Sequence, residues 1–355
     1  MYKSILILLI VSVTATFSQT NSGKNGAVVT GSTSGGKFEK VGSAGGQFLK
    51  IPIGGRGVGM GGAFSSVVND ASAIYWNPAG LLGVQNTQVY VAYSTWYGDF
   101  TNNFASAVVN IADNYRVAAF VQTFGANNIP VTTINNPEGT GSFYSVNDMA
   151  IGLTFAGALT SQFTFGVTAK YVQNAFQTVS ANGVAFDIGT QYDTELEGIK
   201  LGFSIMNLST ETQYEGSGLD RDNNNISGDN KDPNNPLGIP NCGINLPAYP
   251  FSLPVIFRGG LSSEVWNDET NKLLVSGDVI TISDSPEQFA LGAEYTWNEI
   301  LSLRSGYYFN NDQMNLSGGL GLKYLSGDFD GTLEYSASNT TSFGIIHRLN
   351  VLLDF

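Results

Sequence analysis

The chain holds one cysteine, one histidine and few charges: Asp, Glu, Lys and Arg together make up 13% of its 355 residues. Soluble globular domains carry about 25%. Cys242 has no partner for an intrachain disulfide, and it does not stand at the end of the leader, where a lipidated cysteine is expected. His347 is the sole histidine, and no serine sits in a G-x-S-x-G elbow. The Ser/His/acid arrangement of a lipase therefore lacks sequence support, and no catalytic residue is assigned. Lys and Arg number 16 against 29 Asp and Glu, a net charge of −13, so no basic stripe is present for nucleic acid. Beyond the N-terminus no apolar run approaches the about 18 residues of a membrane helix.

What the chain does have is 43 glycines, 16 tyrosines, 22 phenylalanines and a persistent alternation from Gln88 onward. Phe163, Phe165, Val167, Ala169 and Tyr171 take one parity, and Thr164, Gly166, Thr168 and Lys170 the other. Ile199–Ile205, Phe289–Trp297 and Leu316–Tyr324 repeat the pattern. Such alternation suits a soluble β-sandwich, with its apolar face turned inward. It equally suits an outer-membrane barrel, with the apolar face on lipid and polar residues in the lumen.

Three features favour the barrel. About fourteen strands can be drawn, beginning near Gln88, Asn102, Tyr115, Asn147, Phe163, Gly183, Ile199, Pro254, Lys272, Gln288, Leu301, Met314, Phe329 and Phe343. With both termini in the periplasm, the long connections Gly125–Val146 and Ser209–Leu253 follow odd strands and face outward, while tight ones follow even strands. Next, Leu349, Val351, Leu353 and Phe355 alternate up to a terminal aromatic, which resembles the barrel-assembly signal of bacterial outer-membrane barrels. Last, Tyr97, Tyr171, Tyr192, Trp266, Trp297 and Phe309 fall near strand ends, as interface girdles do. The fold expected is all-β, a transmembrane outer-membrane barrel of about fourteen antiparallel strands with a short N-terminal plug containing one helix.

Residues 1–18 read as a signal peptide, with Lys3 before the apolar Ile5–Val13 and the small exit Thr16-Phe17-Ser18. Residues 19–46 are Gly-, Ser-, Thr- and Asn-rich and are expected to be flexible. Residues 47–87 form the plug segment, and 88–355 the barrel. On the barrel's inner parity lie Arg116, Lys170, Asp187, Asp278, Glu294, Arg304, Lys323 and Arg348. Their mixed signs predict pairing across the lumen around a plug rather than an ion-selective ring.

Two motifs resolve into bland readings. Gly57–Gly62 mimics a dinucleotide fingerprint but lacks the strand–helix frame. Asp220, Asp222 and Asn224 have the spacing of a calcium loop. However, Asn225 stands where glycine is wanted and Lys231 where the bidentate Glu belongs, so a solvated acidic loop is the better reading. No metal or cofactor is assigned. The prolines Pro233, Pro236, Pro240, Pro247, Pro250 and Pro254 restrict the rest of that loop, which suggests a shaped extracellular or partner-facing segment.

The segment Gly57-Val58-Gly59-Met60-Gly61-Gly62-Ala63, then Asn69-Asp70-Ala71-Ser72-Ala73, then Tyr75-Trp76-Asn77-Pro78-Ala79-Gly80-Leu81, resembles the N-terminal signature of PorV/PorQ-type proteins within the FadL-like barrel superfamily. The resemblance implies a fourteen-stranded barrel with an N-terminal plug at its periplasmic entrance, in the outer membrane of a Gram-negative, Bacteroidota-like bacterium. It further implies an accessory of type IX protein secretion that binds cargo proteins and other secretion components. The alternative within the superfamily is a passive transporter of fatty acids or other hydrophobic compounds, and a purely structural barrel comes third. On this reading Gly57, Gly59, Gly61 and Gly62 let the backbone approach the barrel wall, Asp70 or Asn69 caps a helix Ala71–Trp76, Pro78 ends it, and Tyr75 and Trp76 supply bulk beside Asn77.

Overall fold

The computed structural model describes residues 44–196, 198–221, 244–245, 248–311, 314–325, 330–341 and 344–355. The segments 1–18 and 19–43, Asp222, Asn224 and Cys242 lie outside them.

Fourteen antiparallel strands close into a barrel. They are β1 (Gln88–Thr95), β2 (Thr101–Ala112), β3 (Tyr115–Pro130), β4 (Phe143–Ala158), β5 (Phe163–Phe176), β6 (Val179–Asp193) and β7 (Lys200–Ser209). After two short strands outside the barrel, β8 (Asp220–Arg221) and β9 (Ile244–Asn245), come β10 (Ile256–Asn267), β11 (Asn271–Ile282), β12 (Gln288–Trp297), β13 (Leu301–Phe309), β14 (Met314–Leu325), β15 (Asp330–Thr340) and β16 (Gly344–Asp354). Each barrel strand pairs with its neighbour, and β16 closes on β1 with Gln88 opposite Asp354. We call the end where β1 starts and β16 finishes the terminal rim, and the opposite end the far rim. Phe355, at the terminal rim, donates its backbone N–H to Thr87 at 2.9 Å.

The alternation resolves as lipid-facing outside and polar inside. Along β5, Gly166, Thr168 and Lys170 are buried while Val167 and Tyr171 are about two-fifths exposed. The outward set includes Leu153, Leu291, Leu316 and Leu349, residues that a soluble protein would bury. A sheet closed on itself has no second sheet to cover such a belt, so this outer surface is the membrane-facing one. His347 lies on it, its Nδ1 bonded to the Tyr335 hydroxyl at 2.6 Å. At the terminal rim Tyr192, Trp266 and Trp297 stand exposed at strand ends.

The two longest connections between barrel strands, 131–142 and 210–255, both lie at the far rim. The hairpins at the terminal rim are short, such as 113–114 and 268–270. Strands β4 and β6 begin four residues before their sequence-based starts. With 16 residues each, β3 and β4 exceed the about 9–11 needed to cross a membrane. They rise beyond the apolar belt and join across the far rim.

Candidate functional site: the plug and the cavity above it

Residues 44–87 lie inside the barrel and make its apolar core. Phe48, Met60, Phe64, Ile74, Trp76 and Leu81 are buried and meet Tyr90, Phe104 and Phe120 from the wall. Each such side chain contributes about 1.5–3 kcal/mol by leaving water. Phe64 and Tyr75 both stand edge-on to Trp76, with ring centroids 5.6 and 5.2 Å away.

The plug's local structure differs from the single capped helix expected. There are two short helices, α1 (Gly55–Gly59) and α2 (Ala73–Trp76), and two 3-10 turns, Gln47–Lys50 and Pro78–Gly83. Helix α1 lies within the glycine run itself, where packing against β13–β16 outweighs the poor helix propensity of glycine. Asp70 does not cap α2. Its carboxylate accepts from Ser72 N at 2.8 Å in a turn two residues short of the helix, and it lies 3.5 Å from Arg56 Nη1. Pro78 starts a turn rather than stopping a helix: α2 has already ended at Trp76, Asn77 is extended at φ −161°, and the Asn77 side chain accepts from Ala79 N at 3.2 Å. Asn77 also ties the plug together, donating to Ser65 O at 2.8 Å and to Thr190 O of β6 at 3.0 Å.

The four motif glycines do three different things. A Cβ on Gly59 would come within 3.2 Å of the Gly319 backbone, so this residue seats α1 directly on β14. Gly61, at φ +67°, would press a Cβ to 2.6 Å from Tyr307 N of β13. Gly57 instead makes room for Trp76 and Phe64 within the plug, and Gly62 is required only for its φ of +82°. The wall answers with glycines of its own: Gly306 of β13 and Gly292 of β12 face the Met60–Gly61 backbone, and Gly202 of β7 faces Ser65.

The inner-parity charges do not pair across the lumen. They pair with the adjacent or next-but-one strand and with the plug, because adjacent strands lie about 4.8 Å apart and the plug fills the space between opposite walls. Lys170 and Asp187, on β5 and β6, meet at 2.7 Å. Arg304 bonds Glu294 at 2.6 Å and Glu334 at 2.9 Å. Arg56 of the plug joins them, with two bonds of 2.9 Å to Glu294. Arg56 also lies 3.5 Å from Asp70, so its guanidinium faces carboxylates of both the wall and the plug. Asn350 completes the group, donating to Glu334 at 2.8 Å and accepting from Gly55 N.

Asp278 receives the backbone N–H groups of Ser65 at 2.9 Å and Phe64 at 3.3 Å. Arg116 donates to Val84 O at 2.6 Å and to Ala112 O at 2.9 Å, fastening the plug's exit at the terminal rim. Arg348 has carbonyl, hydroxyl and thioether partners in Pro52, Ser338 and Met314. Lys323 is the exception. It sits half-exposed at the terminal rim and meets Asp330 across its own hairpin at 3.6 Å.

The plug is not confined to one entrance. Gly45 N bonds Ser252 O at 3.0 Å, and Lys50 and Gln47 hold Asp284 at 3.1 and 2.8 Å, all at the far rim. The chain then runs down the interior to Gln88. Beside this far-rim tether opens a cavity of about 150 Å³. Its mouth carries Lys50, Asp284, Asn310 and Asn311, its walls Ile256, Ile282, Met314 and Tyr308, and its floor Val58, Trp76 and Arg258. A smaller cavity of about 20 Å³ beside Tyr75 shares Ile256 and Arg258 with it. Arg258 was missed in the sequence, although its inner parity with Ile256 and Gly260 was the signal for it.

No family model matches the sequence, and no curated protein matches it. Solved structures do resemble it. The CymD monoaromatic hydrocarbon channel aligns over 86% of this chain and 98% of its own, with a TM-score of 0.56 and 11% identity. The toluene transporter TodX of P. putida covers 84% of this chain and 97% of its own, at 0.54 and 13%. The toluene transporter TbuX of Ralstonia pickettii covers 84% and 96%, at 0.52 and 11%. These likenesses show the fold: a closed fourteen-stranded barrel.

Proposed function

We propose that the protein is a passive channel for small hydrophobic compounds, which enter the barrel at the far rim. The observation that carries this reading is the cavity, open at the far rim, walled by Ile256, Ile282 and Met314 and floored by Val58 and Trp76. A volume of about 150 Å³ is that of an engineered protein cavity that holds one benzene. The fold neighbours described as monoaromatic hydrocarbon and toluene transporters support the same solute class. A solute that leaves the cavity toward the terminal rim meets the packed layer of Met60, Phe64 and Trp76, so passage requires the plug to shift. The test is uptake of radiolabelled toluene by cells that produce the protein. Met314→Trp fills the cavity, so uptake should fall severalfold with the barrel still folded; uptake equal to wild type would refute the reading.

The signature from Gly57 to Leu81 supports a second reading, an accessory of type IX secretion that receives cargo proteins. Deleting the gene should then strip secreted proteins of their surface attachment. Unchanged secretion together with impaired hydrocarbon uptake decides for the channel.

A further inference from the structure

The cavity is not lined as a pure hydrocarbon site would be. Three cations surround it: Lys50 at the mouth, Arg258 in the floor, and Arg348 behind Pro52, Met314 and Ser338. Its one carboxylate, Asp284, is already held by Lys50 and Gln47. In a chain of net charge −13 this local excess of positive charge runs against the overall composition.

Arg258 is the unusual member. Its side chain is buried, with Cζ 5.6 Å from the Tyr75 ring centroid and 5.3 Å from that of Trp76. Among the described residues it makes no ion pair with a carboxylate, and its Nη1 has no hydrogen-bond partner. Asp278, on the adjacent strand, attracts Arg258 from beyond ion-pair distance, and it spends Oδ2 on the Ser65 and Phe64 amides. A buried guanidinium with an unfilled donor is costly unless an acceptor arrives, and planar carboxylates match its fork. The apolar walls and the Trp76 ring accept a flat apolar body.

We infer that Arg258 is a specificity-determining residue, and that the cavity takes a small aromatic carboxylate in preference to a neutral hydrocarbon of the same size. The carboxylate meets the guanidinium and the ring lies along Ile256, Ile282 and Met314. This inference rests on the reading of the cavity as a solute site. The cavity's volume of about 150 Å³ has room for roughly one ring.

The test titrates the full-length protein in lipid nanodiscs with benzoate, benzamide and toluene, using calorimetry. Wild type should bind benzoate at least tenfold more tightly than benzamide, its neutral isostere. In Arg258→Met the benzoate-to-benzamide ratio should fall to within twofold of one, while Arg258→Lys should keep part of the preference. Equal affinity for benzoate and benzamide in wild type, or an unchanged ratio in Arg258→Met, overturns the inference and leaves the hydrophobic channel standing. Failure of wild type to bind any of the three overturns both. Should Arg258→Met not fold, the wild-type ratio and Arg258→Lys still decide.

Discussion

Replacing Arg56 with methionine removes the cation that fastens helix α1 to the wall. Arg56 makes two bonds of 2.9 Å to Glu294 and one of 2.6 Å to Asn69. Truncating one partner of a buried charge pair costs about 3–5 kcal/mol, chiefly because the other charge is left without compensation. Two features reduce that figure here. The Arg56 side chain is 18% exposed, and Glu294 keeps Arg304 at 2.6 Å. We therefore expect about 2–3 kcal/mol, or about 30- to 150-fold in the plug's docking equilibrium. The barrel ladder is untouched, so the loss should be local. Amide hydrogen exchange across Gly55–Gly62 reads it directly: those amides should exchange faster by that factor while β3–β5 stay protected. Protection within twofold of wild type in Arg56→Met would refute the latch.

Gly306→Ala would drive a methyl into the Met60–Gly61 backbone, and neither chain has slack to yield. A loss of about 3 kcal/mol or more is expected, read as a lower thermal midpoint of the heat-modifiable barrel band. Lys170→Met leaves Asp187 unpaired at 1% side-chain exposure and should cost about 3–5 kcal/mol, while Lys170→Met with Asp187→Asn should regain most of it in the same assay. In the terminal-rim hairpin, the Thr270 and Asn271 amides hold the Asp268 carboxylate down to about 2 from 3.8. A depressed carboxylate stabilises the turn above its ordinary value, and that contribution fades as pH falls from about 4 through about 2. Trp266 Nε1 donates to Asp268 at 2.9 Å, so its fluorescence should shift over that window. A shift that persists in Asp268→Asn would count against this assignment.

The barrel was legible because lipid imposes a one-sided alternation on every strand. Loop length alternated with strand parity, and the fourteen starts fall within four residues of the observed ones. Parity told which side Arg116, Lys170 and Arg348 face. It did not tell their height along the barrel, which is why Lys323 was placed in the lumen although it sits at a rim. Pairing partners were hidden for a related reason: Lys170 and Asp187 become neighbours only once the β5–β6 register is set, with Thr168 opposite Asp187. Within the plug, helices of four and five residues carry almost no periodic signal, and tertiary contact decides them. Arg56 was overlooked because it is embedded in a run of glycines that dominated the reading of its neighbourhood.

The plug bridges parts of the chain that are made at very different times. Helix α1 rests on β13–β16, and the Pro78–Gly83 turn rests on β3–β6. Gly55 bonds Asn350, 295 residues away, and Arg56 bonds Glu294, 238 residues away. Because glycines on both sides leave no clearance, a finished cylinder could not be threaded afterwards. The cylinder must close around its contents, with the β1–β16 seam formed last. Such long-range closure is slow, and it makes the N-terminal segment a mandrel for assembly: a chain lacking residues 47–87 should stall with its seam open.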